Sequence, residues 1–197
     1  MSAFWLGACP FSLWIGQWLL GKDIRKYGDG NPGAVNVFRA GGRKSAILAV
    51  ILDIAKGMPF VLLTHSFFGF PTVITMAVAL SAILGHAFSP LLGFKGGKSI
   101  AVTGGVLLAL PQHDIMISFI IFILLGFLLM EIDAWTVIFG PAGTLAYLIT
   151  TKGTSWESLF TLCVLVVLAV KHFDDLKTFP RIRVKPVYWI QSRRRKI

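Results

Sequence analysis

Gly85-His86-Ala87-Phe88-Ser89-Pro90-Leu91-Leu92-Gly93-Phe94-Lys95-Gly96-Gly97-Lys98-Ser99 is the stretch in which an apolar run breaks into glycines with two lysines among them. The run that enters it, from Phe70 to Leu92, is long enough to cross the hydrocarbon of a bilayer, so the glycines and lysines belong to a loop at a membrane surface. Gly96 and Gly97 let backbone N–H groups approach a ligand with no Cβ in the way, and Lys95 and Lys98 add positive charge to that concavity. An anion such as phosphate is the natural guest. The string is not a nucleotide-hydrolase phosphate loop, because Gly97-Lys98-Ser99 would then need a glycine at position 92, where Leu92 stands. A second account of the same lysines is that they mark a cytoplasmic connection by the positive-inside rule.

Outward from this loop, the composition excludes an ordinary soluble domain. The 197 residues are 55% hydrophobic and 14% charged, and the mean hydropathy is +0.75. The expected class is all-α, a polytopic integral membrane protein with about seven spans, over residues 3–20, 45–64, 70–92, 99–111, 115–130, 134–150 and 156–170. The net charge of +10 does not point to nucleic acid, since the cations sit at the ends of apolar segments and form no soluble basic face. Six basic residues between 22 and 44, two in the lysine loop and nine from Lys171 onward fall on one side, against Lys152 on the other and Lys56 within a span. That asymmetry predicts the N-terminus outside and the C-terminus in the cytoplasm. Residues 1–172 form the membrane domain and 173–197 a basic cytoplasmic tail. In the tail, Tyr188 and Trp189 precede Arg193-Arg194-Arg195-Lys196, a pattern suited to the anionic inner leaflet. Cys9 and Cys163 lie in separate apolar segments and read as packing residues.

Two more features carry chemistry. Gly28-Asp29-Gly30-Asn31-Pro32-Gly33-Ala34-Val35-Asn36-Val37-Phe38-Arg39 reads as an irregular, polar, glycine-rich loop on the basic side. Asp53 and Lys56, three residues apart inside a span, share a helix face and can pair, either to pin a helix or to serve a site or an ion pathway. By topology the two glycine-rich loops and the start of the tail converge on one face. Arg39, Lys95 and Lys98 then supply charge, Asn31 and Asn36 neutral donors, and His172 a group that titrates near neutrality. No HExxH zinc pattern, no His with an Asp five residues on and no GxSxG turn occurs. A site without metal, cofactor or covalent nucleophile is the remaining enzymatic reading.

At these residues the sequence resembles the bacterial acyl-phosphate-dependent glycerol-3-phosphate acyltransferases of the PlsY type. The matching elements are Gly28-x-Gly30-Asn31-x-Gly33-Ala34-x-Asn36-Val37-x-Arg39, then Leu52-Asp53-x-x-Lys56-Gly57, then Gly85-His86 with Gly93-Phe94-Lys95-Gly96-Gly97-Lys98. The resemblance covers nearly the whole chain. It implies a multi-pass protein of the bacterial inner membrane that transfers an acyl group from acyl-phosphate to glycerol-3-phosphate, giving lysophosphatidic acid. It also implies His172, Lys98 and Asn36 as catalytic residues, and Asn31, Gly33, Arg39, Lys95, Gly96, Gly97 and His86 as substrate-binding ones. The chain departs from the family pattern at Asp29 for a serine, Val35 for a threonine, Ala134 for a hydroxyl residue, Asp175 for an asparagine and Thr178 for an arginine. All five departures are expected to fall in the pocket, and that pattern of loss marks the alternative, a catalytically degenerate paralogue that binds lipid or phosphate, or serves as a subunit of a membrane complex. A transporter built on Asp53 and Lys56 is the weaker third reading.

Overall fold

The computed structural model describes residues 1–182, all of whose regular elements are helical. The expected tail contacts of Tyr188, Trp189 and the Arg193 to Lys196 cluster lie outside the described residues. The helices are α1 (Ser2–Ala8), α2 (Phe11–Leu20), α3 (Ala34–Arg39), α4 (Arg43–Ala55), α5 (Pro59–Leu62), α6 (Thr72–Ala87), α7 (Ile100–Ala109), α8 (His113–Leu129), α9 (Asp133–Lys152), α10 (Trp156–Lys171) and α11 (Phe173–Leu176). Every apolar segment of the sequence is thus helical. Four helical runs, Ser2–Leu20, Arg43–Phe67, Thr72–Leu92 and Asp133–Lys152, are long and apolar enough to cross a membrane. At ten residues, α7 is only about 15 Å long and does not reach across a bilayer by itself.

Three expectations are corrected by local chemistry. The first span is not one continuous helix but breaks at Cys9-Pro10, because proline has no N–H to continue the helical ladder. The second breaks between Ala55 and Pro59, and resumes as a short turn followed by a wider π-turn over Leu63–Phe67. The stretch 28–39 is not irregular throughout, since its last six residues form α3. There Val37 packs with Leu13, Ile15, Ile24 and Ala46 in a buried cluster, while Val35 and Phe38 face outward. That burial outweighs the poor helix propensity of an Asn-Val-rich stretch.

Packing follows membrane rules. Gly7 and Gly85 stand where any Cβ would strike the backbone of the facing helix, so α1 and α6 meet backbone to backbone. Ser89 Oγ closes this contact by donating to Ala8 O at 2.6 Å. The larger apolar core, with Ile83, Val102, Val106, Leu148 and Leu168 fully buried, fills the space among α6, α7, α9 and α10. At one end of the bundle Lys152 pairs with Asp114 at 2.8 Å and lies 3.8 Å from Glu157. At the other, Glu131 N donates to Arg181 O at 2.9 Å and Trp135 Nε1 to Thr178 O at 2.8 Å, which joins the acidic turn to the segment after α10.

Candidate active site

The lysine loop is folded back onto the end of α6. Phe94 and Ser99, at φ 64° and 62°, take left-handed turns rare for residues with side chains. Between them Gly97 N donates to His86 O at 3.1 Å. A Cβ on Gly96 would strike the carbonyl oxygens of His86 and Ala87, and one on Gly97 would strike the His86 ring. Only glycine permits this approach. Lys171, at the end of α10, fastens the loop from the other side by donating to Ala87 O and Gly96 O, both at 2.9 Å.

The first loop meets the lysine loop through Asp29. Its Oδ1 accepts from Asn31 N at 3.2 Å and Asn36 Nδ2 at 2.9 Å, and its Oδ2 holds Lys98 Nζ at 2.8 Å. Arg39 Nη1 stands 3.7 Å from the same carboxylate and donates to Asn36 Oδ1 at 3.1 Å. Lys98 in turn holds Asp175 Oδ2 at 2.7 Å, which ties in α11. One lysine therefore joins three segments widely spaced in the chain.

Partial burial alone would raise the Asp29 pKa, but hydrogen bonds from Lys98, Asn31 and Asn36 outweigh it and bring it down to about 2. Asp29 is thus a carboxylate throughout the neutral range. Lys98 is pulled down by burial and pushed up further by Asp175 and Asp29, for a net rise that keeps it an ammonium.

A cavity of about 350 Å³ opens over this junction, lined by Asp29, Asn31, Lys95, Gly96, Lys98, Lys171, His172 and Asp175 among others. Among the expected site residues, Asn31, Lys95, Gly96, Lys98 and His172 reach the cavity wall. Asn36 does not. It is 1% exposed, and its amide spends both N–H groups on Asp29 and the Asn31 carbonyl, so it holds the loop in shape and has no donor left for a ligand. Arg39 stands behind Asp29, Gly33 caps the start of α3, and His86 lies beneath the lysine loop with its ring against the backbone of Gly97. His172 is buried with Nδ1 2.9 Å from Leu168 O. A carbonyl only accepts, so Nδ1 carries the hydrogen and the neutral ring offers Nε2 as an acceptor.

Asp53 and Lys56 form a sealed cluster beneath the site, adjoining it through His86, whose Nδ1 lies 4.0 Å from Asp53 Oδ1. Their side chains pair at 2.7 Å and are 4% and 1% exposed. Ser12 Oγ donates to Asp53 Oδ2 at 2.5 Å, and Lys56 Nζ to Cys9 O at 2.8 Å, the carbonyl at the break in the first span. The pair thus fastens the break between α1 and α2 to the end of α4.

Of the five departures from the family pattern, only Asp29 and Asp175 line the cavity. Val35 faces an apolar groove on the other side of α3, with Phe38, Ile47 and Ile51. Ala134 is buried in α9, and Thr178 is exposed, its carbonyl receiving Trp135.

Two residues that line the cavity stand outside the expected site residues, Lys171 and Asp29, the latter expected only as a departure from the family pattern. The first was legible in principle, as the cation directly before His172 in a chain whose cations cluster on one face.

The glycerol-3-phosphate acyltransferase family model matches residues 1–180, a range that includes all three segments of the cavity. The chain belongs to this family. Among named members, the glycerol-3-phosphate acyltransferase of Neisseria gonorrhoeae (strain NCCP11945) is 34% identical over 177 residues, covering 88% of each protein. The one from Streptococcus equi subsp. zooepidemicus (strain MGCS10565) is 30% identical over 196 residues, covering 96% of this chain and 91% of the relative. The fold also matches the crystal structure of PlsY (YgiH), an integral membrane glycerol 3-phosphate acyltransferase, in its glycerol 3-phosphate form. The TM-score is 0.77 at 27% identity, over 89% of this chain and 87% of that one. The lysophosphatidic acid form of PlsY matches with a TM-score of 0.75 at 26% identity. Like that acyltransferase, this member of the family is an integral membrane protein.

Among the described residues, no three His, Cys, Asp or Glu side chains gather as a metal site would require. The cavity wall carries Lys95, Lys98 and Lys171, the Asn31 amide, the His172 imidazole and the carboxylates of Asp29, Asp174 and Asp175; its cations and amide suit phosphate, and its imidazole suits a hydroxyl.

Proposed function

We propose that the protein acylates glycerol-3-phosphate to lysophosphatidic acid, with acyl-phosphate as donor, at the cavity between the two glycine-rich loops and the end of α10. The single observation that carries this reading is that Asn31, Lys95, Lys98 and His172, from three distant segments, line one polar cavity at the end of an apolar helix bundle. The acceptor's phosphate docks on Lys95 and Lys98, with the Asn31 side chain beside it. His172 Nε2 accepts a hydrogen bond from the glycerol hydroxyl and orients it.

The hydroxyl oxygen attacks the acyl carbonyl carbon, the carbon–oxygen bond to the donor phosphate breaks, and inorganic phosphate leaves. A substrate phosphate oxygen takes the hydroxyl proton. No enzyme nucleophile is required, because an acyl-phosphate is already activated, and proximity with charge stabilisation lowers the barrier. Seven crossings of a bacterial plasma membrane, with the cavity on the cytoplasmic side, complete the proposal. Supporting it are the preponderance of cations at the cavity end and the split between the Lys152–Asp114 end and the Lys98 end.

The test is phosphate release from acyl-phosphate by the purified protein in lipid, with and without glycerol-3-phosphate, beside Lys98→Ala. Release that needs both the acceptor and Lys98 supports the reading. A folded protein that releases nothing with any acceptor would instead be the degenerate paralogue.

A further inference from the structure

The two carboxylates on Lys98 are not equivalent. Asp29 is fastened at both oxygens, to Lys98 on one side and to Asn31 N and Asn36 Nδ2 on the other. Removing it would loosen the first loop. Asp175 touches only Lys98 through its side chain among the described residues, sits on the four-residue α11, and is nearly half exposed, at 46%. It can leave with nothing else to break.

An ammonium has three N–H groups, and Lys98 gives two of them to carboxylates. A phosphate arriving at Lys98 therefore meets a cation already neutralised and, beside it, an anion that repels it. Lys95, on the same cavity wall, pairs with no carboxylate among the described residues.

We propose that Asp175 is an internal competitor for the phosphate site. A phosphate monoester first meets Lys95, then displaces Asp175 from Lys98, while Asp29 stays in place and holds the loop. Asp175 thereby sets how tightly the site takes phosphate, as an affinity-determining residue that the mechanism itself does not need. A carboxylate serves as the stand-in because its charged oxygen, Asp175 Oδ2, accepts from the ammonium as a phosphate oxygen would. This inference rests on the cavity being the phosphate site proposed above.

The experiment measures two constants in the purified protein in lipid, the KM for glycerol-3-phosphate and the inhibition constant of inorganic phosphate, for wild type, Asp175→Asn, Asp175→Glu and Lys98→Ala. Asp175→Asn keeps the shape and removes the charge, so both constants are expected to fall about threefold, the scale of a half-exposed ion pair. Asp175→Glu keeps the competitor and is expected to stay within about twofold of wild type. If Asp175 merely tethers α11, the Asn variant raises both constants or leaves them unchanged, and the proposal is overturned. If Lys98→Ala leaves both constants unchanged, the cavity is not the phosphate site and the parent reading falls. If Lys98→Ala raises them while Asp175→Asn fails to lower them, only the present inference falls.

Discussion

The protein holds two lysine–aspartate centres of the same chemistry and opposite character. Lys56 and Asp53 are sealed in the bundle at 1% and 4% exposure, with Ser12 and the Cys9 carbonyl as further partners. Lys98 holds Asp29 and Asp175 at 2.8 and 2.7 Å, but with 26%, 39% and 46% of the side chains exposed around an open cavity. What separates them is access. A buried pair cannot exchange partners without leaving a charge uncompensated in a medium that penalises it, so it acts as a pin. A pair at the edge of a cavity can trade a carboxylate for a phosphate at little cost, so it acts as a site.

The sharpest way to break that contrast is Lys56→Ala. It should strand the buried Asp53 charge and destabilise the fold by about 3–5 kcal/mol, read as a large drop in the thermal midpoint in detergent. A midpoint near wild type, with activity lost, would move Asp53 and Lys56 from pin to site. The mirror experiment is Lys98→Ala, expected to lower kcat/KM for acyl transfer about 100- to 1000-fold, as when a group holding developing charge is removed, with the midpoint within a few degrees of wild type. Collapse of the fold instead would show that joining the three segments is its main task.

Gly96→Ala drives a Cβ into the His86 and Ala87 carbonyl oxygens. The expected cost is about 1–3 kcal/mol, with activity falling more than stability because only the lysine loop must yield; equal losses would show that the loop belongs to the pin side of the comparison. The smallest effect expected is for Val35→Thr, which restores the family's hydroxyl on a side chain that is 62% exposed to the apolar groove. Its KM for glycerol-3-phosphate should stay within about twofold of wild type, as for surface changes away from special features. A larger gain in affinity would place residue 35 in the site.

Each apolar segment could be read from composition, and so could the gathering of cations at one end, because partition between lipid and water acts on each segment by itself. The break at Pro10 was equally local, since a proline within an apolar helix removes an N–H wherever it stands. Helix α3 was not legible. Its polar, glycine-rich lead-in reads as loop, and it is the burial of Val37 against α2 and α4 that makes it helical.

The sequence alone determined that this is an all-helical membrane protein and that Asn31, Lys95, Lys98 and His172 were worth bringing together. Tertiary structure decided what each of them faces. It engaged the Asn36 amide fully, turned the His172 ring so that Nδ1 meets Leu168 O, placed His86 under the loop and Val35 away from it. It also brought Lys98 to Asp175 across 77 residues of chain. Local composition selects helix and environment, whereas the partner of a charged side chain depends on the packing of distant helices, and for that reason only the folded chain shows which lysine is a pin and which is a site.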